Sequence, residues 1–233
     1  ARLNPLAQKR DSTLTLAGAS TESEANPRLA PPLKLTDCSP ITDGGAAVVL
    51  CSGRYLKRLG RPDAMRLLGC GHTTDYLPLA GKDAPDFTIA GRAADQAYTM
   101  AGLTPGELDG AEVHDCFSIT EIVAYEVLGL APRGQGARWA ESGATALPAV
   151  RAQLDAGPLP PGLRPLPVNT SGGLIGDGHP VGATGVRQVE TAYRQLTGTA
   201  GAYQIPGARR LLTFNLGGSF TTSVVMIWGG EAR

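Results

Sequence analysis

The run His114-Asp115-Cys116-Phe117 sets an imidazole and a thiol two residues apart, so that at a turn both can face one cavity while Asp115 points elsewhere. A cysteine so placed exchanges protons if nearby histidines or a helix N-terminus lower its thiol pKa from about 8.5 towards neutrality. A small buried cysteine that only fills space has the same appearance in sequence. His179 stands between Gly178 and Pro180, with Gly182 and Gly185 just beyond. The backbone therefore turns tightly and leaves the ring at the mouth of a helix, although an isolated Gly-His-Pro tripeptide suits a structural loop histidine equally well. Asn215-Leu216-Gly217-Gly218-Ser219 offers backbone N–H groups that a ligand can approach closely. Such donors make oxyanion holes, and they also make ordinary hairpins. The remaining histidine, His72, lies in Gly71-His72-Thr73-Thr74 without comparable company and reads as a surface or loop residue.

The elements that must hold these groups follow from pattern. A strand is predicted over 108–113, a turn at 114–117 and a helix over 118–128 closed by Gly129, which is the strand, functional turn, helix order of a βαβ unit. Val168-Asn169-Thr170 leads into the glycine-rich stretch ending at His179, and a helix is predicted over 183–196. Segments 210–215 and 220–228 flank Gly217-Gly218 and read as two antiparallel strands closing the sheet. Upstream, 66–71 reads as a short strand and 90–102 as an amphipathic helix ended by Gly102. Asp43 to Cys51 is a turn followed by small and β-branched residues, the pattern of a strand buried on both faces. Segment 133–167 reads as a loop and 11–32 as a loop-dominated lead-in. These elements make one α/β domain with mixed strand directions and no solenoid repeat.

Composition narrows the function classes. Lys+Arg and Asp+Glu both number 21, so no long-range field favours nucleic acid or an acidic membrane. Gly 31 and Pro 18 exceed ordinary usage, yet the 42% apolar residues come in blocks, which points to a folded protein rich in tight loops. Cys38, Cys51, Cys70 and Cys116 form no CxxC pair, so neither a zinc ribbon nor a redox dithiol is expected, and no metal. A reducing, cytoplasmic compartment fits. Apolar stretches fall well short of the roughly 20 residues that span a bilayer, and 1–10 lacks the apolar core of a signal peptide.

Taken in order, four segments resemble the C-terminal half of the thiolase superfamily, in its sterol-carrier-protein branch. Asn4-Pro5-Leu6-Ala7-Gln8 is similar to the end of that family's loop domain, and 35–47 is similar to the entry into its C-terminal domain. His114 to Phe117 matches the HDCF motif, and 169–185 matches the stretch containing GHPxGATG. The resemblance implies a layered fold with a mixed five-stranded sheet and helices on both faces, with 1–32 ending the loop domain and 33–233 forming the C-terminal α/β domain. It implies that His179 activates a nucleophilic cysteine and helps hold the thioester oxygen, that His114 completes that oxyanion hole, and that Cys116 is the acid/base. Other thiolases carry the acid/base cysteine in a CxG motif whose first position is here Asn215; Gly217 is retained as a backbone donor for a second oxyanion hole.

The implied reaction is thiolysis of a 3-oxoacyl-CoA, or the reverse Claisen condensation, with coenzyme A or acyl-CoA as substrate and no permanently bound cofactor. None of Cys38, Cys51 or Cys70 falls in the nucleophile's motif. The nucleophile is therefore expected from an N-terminal half, either a second polypeptide in a hetero-oligomer of thiolase-type dimers or tetramers, or part of one precursor. The competing expectations are a thiolase-like retro-aldolase acting on a CoA thioester and a non-catalytic subunit of the same fold.

Overall fold

The computed structural model describes residues 15–60, 64–154 and 156–230; the Asn4 to Gln8 motif lies outside them. In chain order the elements are α1 (Leu16–Ser20), β1 (Arg28–Ala30), β2 (Leu33–Lys34), α2 (Gly53–Leu59), β3 (Arg66–Thr74), α3 (Thr88–Ala101) and β4 (Gly110–Glu112). There follow α4 (Ser118–Val127), α5 (Gly136–Glu141), α6 (Pro148–Arg151), α7 (Gly173–Asp177), α8 (Thr184–Thr197), β5 (Arg210–Gly217) and β6 (Thr222–Gly229).

Four strands form a mixed sheet in the order β3-β6-β5-β4. β6 is antiparallel to both of its neighbours, and β4 runs parallel to β5. The period of two along β5 and β6 explains why helices are needed on both faces. Leu212, Phe214, Leu216, Val225 and Ile227 belong to one core, with α3, α4 and Trp139 of α5. Leu211, Met226 and Trp228 point the other way and join Ala192 and Leu196 of α8 in a second core. On the first face α3 lies unusually close to β3, because a Cβ on Gly69 or Gly71 would come within about 2 Å of the carbonyl oxygens of Ala97 or Ala93. Only glycine in the strand and alanine on the helix permit that approach.

The mixed α/β architecture agrees with the sequence expectation, but among the described residues the sheet has four strands, and the fifth position holds a single parallel bridge, Ala111 to Val168. Pro167 before it has no N–H to give, and Asn169 after it turns the chain at φ 50°, so pairing cannot extend. A larger correction concerns Gly45 to Cys51. This segment has no regular secondary structure and joins no strand of the described residues, and Val49 and Leu50 are 94% and 82% exposed. Its apolar pattern suits a buried strand, yet the registers of β3 and β4 are with β6, β5 and Val168.

The loop expected over 133–167 contains α5 and α6, the former anchored by buried Trp139, whose Nε1 donates to the Arg164 carbonyl at 2.9 Å. The lead-in, described from Thr15, carries α1 and the β1–β2 pair, held by buried Asn26 donating to the carbonyls of Gly18, Ala19 and Thr21. His72 is exposed on edge strand β3.

Candidate active site

Three chain segments bring the predicted residues together. β4 runs alongside β5 and releases the chain at Val113, so His114, Asp115 and Cys116 form the turn before α4. The loop after α7 carries His179 to the start of α8. The His114 and His179 rings meet edge to face, with centroids 4.9 Å apart and planes at 89°. Asn215, on β5, reaches the same place: its Nδ2 lies 3.3 Å from His114 Nδ1 and 3.4 Å from Gln188 Oε1. Gly217 follows two residues later and therefore faces the same side of the strand as Asn215; it is exposed.

The turn and the loop are held by buried polar groups. Asp115 points away from the two histidines, as expected, and accepts from the backbone N–H groups of Leu174 (2.7 Å) and Ile175 (3.3 Å) at the start of α7. A Cβ on Gly173, at φ 62°, would lie 2.3 Å from Asp115 Oδ2, so glycine is what lets the carboxyl dock. Buried Glu112 accepts from Ser171 Oγ (2.5 Å), Ser171 N–H (3.2 Å) and Thr170 Oγ1 (3.1 Å). Segment 38–42 straps both loops from outside: Ser39 N–H donates to the Cys116 carbonyl at 2.9 Å, and His179 N–H donates to Thr42 Oγ1 at 2.8 Å. Single bridges link Cys38 to Phe117 and Ile41 to His179.

Burial sets the charges. It pushes His114 down to about 4, with His179 adding to the effect, and it also lowers His179. Both rings are therefore neutral near pH 7. Burial pushes the Cys116 thiol up, and Asp115 adds to this, against an opposing contact with Thr120 Oγ1 at 4.0 Å. In sequence terms a lowered Cys116 pKa is conditional on nearby charge or a helix N-terminus, and the two uncharged histidines do not supply that charge. Neutral histidines cannot draw its pKa towards neutrality, so it remains a protonated thiol.

A family model for the thiolase C-terminal domain-like family matches residues 71–230. The chain belongs to that family. This thiolase C-terminal domain is 40% identical over 204 residues to the acetyl-CoA acetyltransferase of Methanothermobacter thermautotrophicus, covering 86% of this chain and 48% of that protein. It is 37% identical over 191 residues to sterol carrier protein 2 of Homo sapiens, covering 79% and 32%. It is 31% identical over 201 residues to the benzoylsuccinyl-CoA thiolase subunit BbsB of Thauera aromatica, covering 85% and 48%. The chain thus spans half or less of the length of these relatives. Among solved structures, an Ltp2-ChsH2(DUF35) aldolase superposes with a TM-score of 0.72 over 99% of this chain and 55% of its own, at 20% identity, which shows a shared fold.

Within the thiolase domain, sequence reasoning missed three contributors, Thr184, Thr42 and Gln188, and the side-chain role of a fourth, Asn215. Thr184 Oγ1 lies 2.7 Å from His179 Nδ1, and Thr42 anchors the same residue through its backbone. Gln188 and Asn215 form a relay to His114. Thr184 was within reach of inspection, because it follows His179 by five residues at a helix start. Gln188 was not, and neither was its pairing with Asn215, since 27 positions separate them and nothing in composition pairs them.

Proposed function

We propose that this chain supplies the acid/base half of a thiolase active site, with the nucleophilic cysteine provided by an N-terminal half. Residues 1–32 end the loop domain in this reading and 33–233 form the C-terminal α/β domain. The observation that carries it is the edge-to-face pair His114 and His179, with Cys116 on the same turn as His114. In thiolysis, His179 takes the proton of the partner half's cysteine, whose sulfur attacks the 3-oxo carbon of the acyl-CoA. The C2–C3 bond breaks, leaving the shortened acyl group on the cysteine, and Cys116 delivers a proton to the C2 carbanion, which departs as acetyl-CoA. Coenzyme A gives its thiol proton to Cys116 and attacks the acyl-enzyme, releasing the shortened acyl-CoA and regenerating the cysteine.

Each role has a physical support. A thiol kept protonated by burial suits a donor to a carbanion, and a neutral buried imidazole suits a hydrogen-bond donor to a developing oxyanion. Gly217 N–H is the candidate donor for the second oxyanion hole. Hetero-oligomeric assembly of thiolase type accounts for the exposed apolar segment at Val49 and Leu50.

The test is thiolysis of acetoacetyl-CoA and longer 3-oxoacyl-CoA by the complex. Cys116→Ala should reduce turnover by at least about 100-fold, the order of a lost general acid; unchanged turnover removes Cys116 from the mechanism. A retro-aldol reading, which needs no acyl-enzyme, is favoured by the position of the other cysteines: Cys70 is on edge strand β3, Cys51 is exposed ahead of α2, and Cys38 pairs across from Phe117. The partner half separates the two readings. A cysteine at its nucleophile position means thiolase, and replacement of that cysteine means aldolase.

A further inference from the structure

We infer that two hydrogen-bond relays hold His114 and His179 in opposite neutral tautomers, His114 protonated on Nε2 and His179 on Nδ1, with Gln188, Asn215 and Thr184 as the positioning residues. The first relay starts at a backbone carbonyl, which only accepts. Buried Gln188 donates from Nε2 to the Phe214 carbonyl at 3.2 Å, which fixes its amide orientation and turns Oε1 towards Asn215. Asn215 must then present its NH2 group there. One hydrogen goes to Gln188 Oε1 at 3.4 Å, and the other points at His114 Nδ1 at 3.3 Å. A ring nitrogen that receives an N–H is unprotonated, so the proton of neutral His114 sits on Nε2. The amide assignment thus follows from a chain of contacts anchored on main chain rather than from either side chain alone.

The second relay runs the other way. Thr184 has one hydroxyl proton, and the Pro180 carbonyl lies 3.2 Å from its Oγ1. With that proton given to Pro180, Oγ1 is an acceptor for His179 Nδ1 at 2.7 Å. His179 is then protonated on Nδ1 and carries its lone pair on Nε2. The pair is therefore polarised without net charge: one ring offers a proton, and its neighbour at 4.9 Å offers a base. The position that holds the acid/base cysteine in other thiolases is thereby reassigned. Asn215 acts through His114 instead of on substrate.

The catalytic use of this polarity rests on the thiolase reading above, whereas the tautomers do not. The experiment incorporates [15N]histidine into this chain, by itself and with any subunit that co-purifies with it, and records magic-angle-spinning 15N spectra. The three histidines are assigned with His72 and His179 variants. The wild type should show an unprotonated Nδ1 on His114 and an unprotonated Nε2 on His179. Asn215→Asp should move the His114 proton to Nδ1 and leave His179 unchanged, because a carboxylate can only accept. It should also reduce turnover on the order of 100-fold, as for a lost oxyanion donor. Thr184→Val should release the His179 tautomer, and Thr184→Ser should keep it. The same tautomer on both rings of the wild type, or a His114 tautomer unmoved in Asn215→Asp, overturns the inference. If Asn215→Asp fails to assemble, the wild-type spectrum alone decides. Correct tautomers without thiolase turnover would sink the thiolase reading and leave the relays standing.

Discussion

His114 is buried, and its pKa falls to about 4, so acid must charge it inside a desolvated site. The unfolded chain binds that proton near pH 6.5, and the folded chain does so only near 4. Stability linked to His114 is therefore complete above about pH 6.5 and is lost as pH falls towards 4, by up to about 1.4 kcal/mol per pH unit. Glu112 and Asp115 have the opposite sign. Burial raises both, so their contribution is present at low pH and declines as pH rises. A His114→Gln variant retains these carboxylates, so comparison with the wild type isolates the histidine. The difference in unfolding free energy, measured by denaturant titration of the assembled protein, should shift by up to about 3 kcal/mol against the wild type between pH 7 and 4. A difference independent of pH would show that His114 is not desolvated.

At the scale of elements, the site depends on α7 being docked against the HDCF turn through Asp115. Gly173→Ala forces a side chain at φ 62° and a Cβ 2.3 Å from Asp115 Oδ2. It should cost about 2–5 kcal/mol, adding left-handed strain to overpacking, and should lower the melting temperature. Gly157→Ala, with open space at its Cβ position, should stay within about 0.5 kcal/mol of the wild type. Elements whose cues are local were legible in sequence: β3, α3, α4, α8 and the β5–β6 pair all lie within a few residues of their predicted bounds. Asp115 was legible as the residue turned away from the histidines. The unpaired state of Gly45 to Cys51 was not, because an apolar run specifies burial but not the chain that provides it. The raised pKa of Cys116 was also hidden, since spacing does not reveal desolvation.

For the whole molecule, several exposed apolar residues lie close to the site: Ile41 and Val181 flank His179 by bridge or in sequence, and Val48, Val49 and Leu50 follow Ile41 along the chain. On the split-site reading, the chain alone should aggregate, and addition of a thiolase N-terminal half should protect the amides of 45–51 from hydrogen exchange. A monodisperse, fully exchanging monomer would count against the split-site reading. The strand order β3-β6-β5-β4 has a further consequence, for biosynthesis. The two outer strands are translated first, and both inner strands come after Gly207. Until both inner strands have been made, β3 cannot pair with β6, nor β4 with β5. The contact between Thr42 and His179, 137 positions apart, likewise joins distant parts of the chain. Such non-local pairing slows folding relative to a domain built from local contacts.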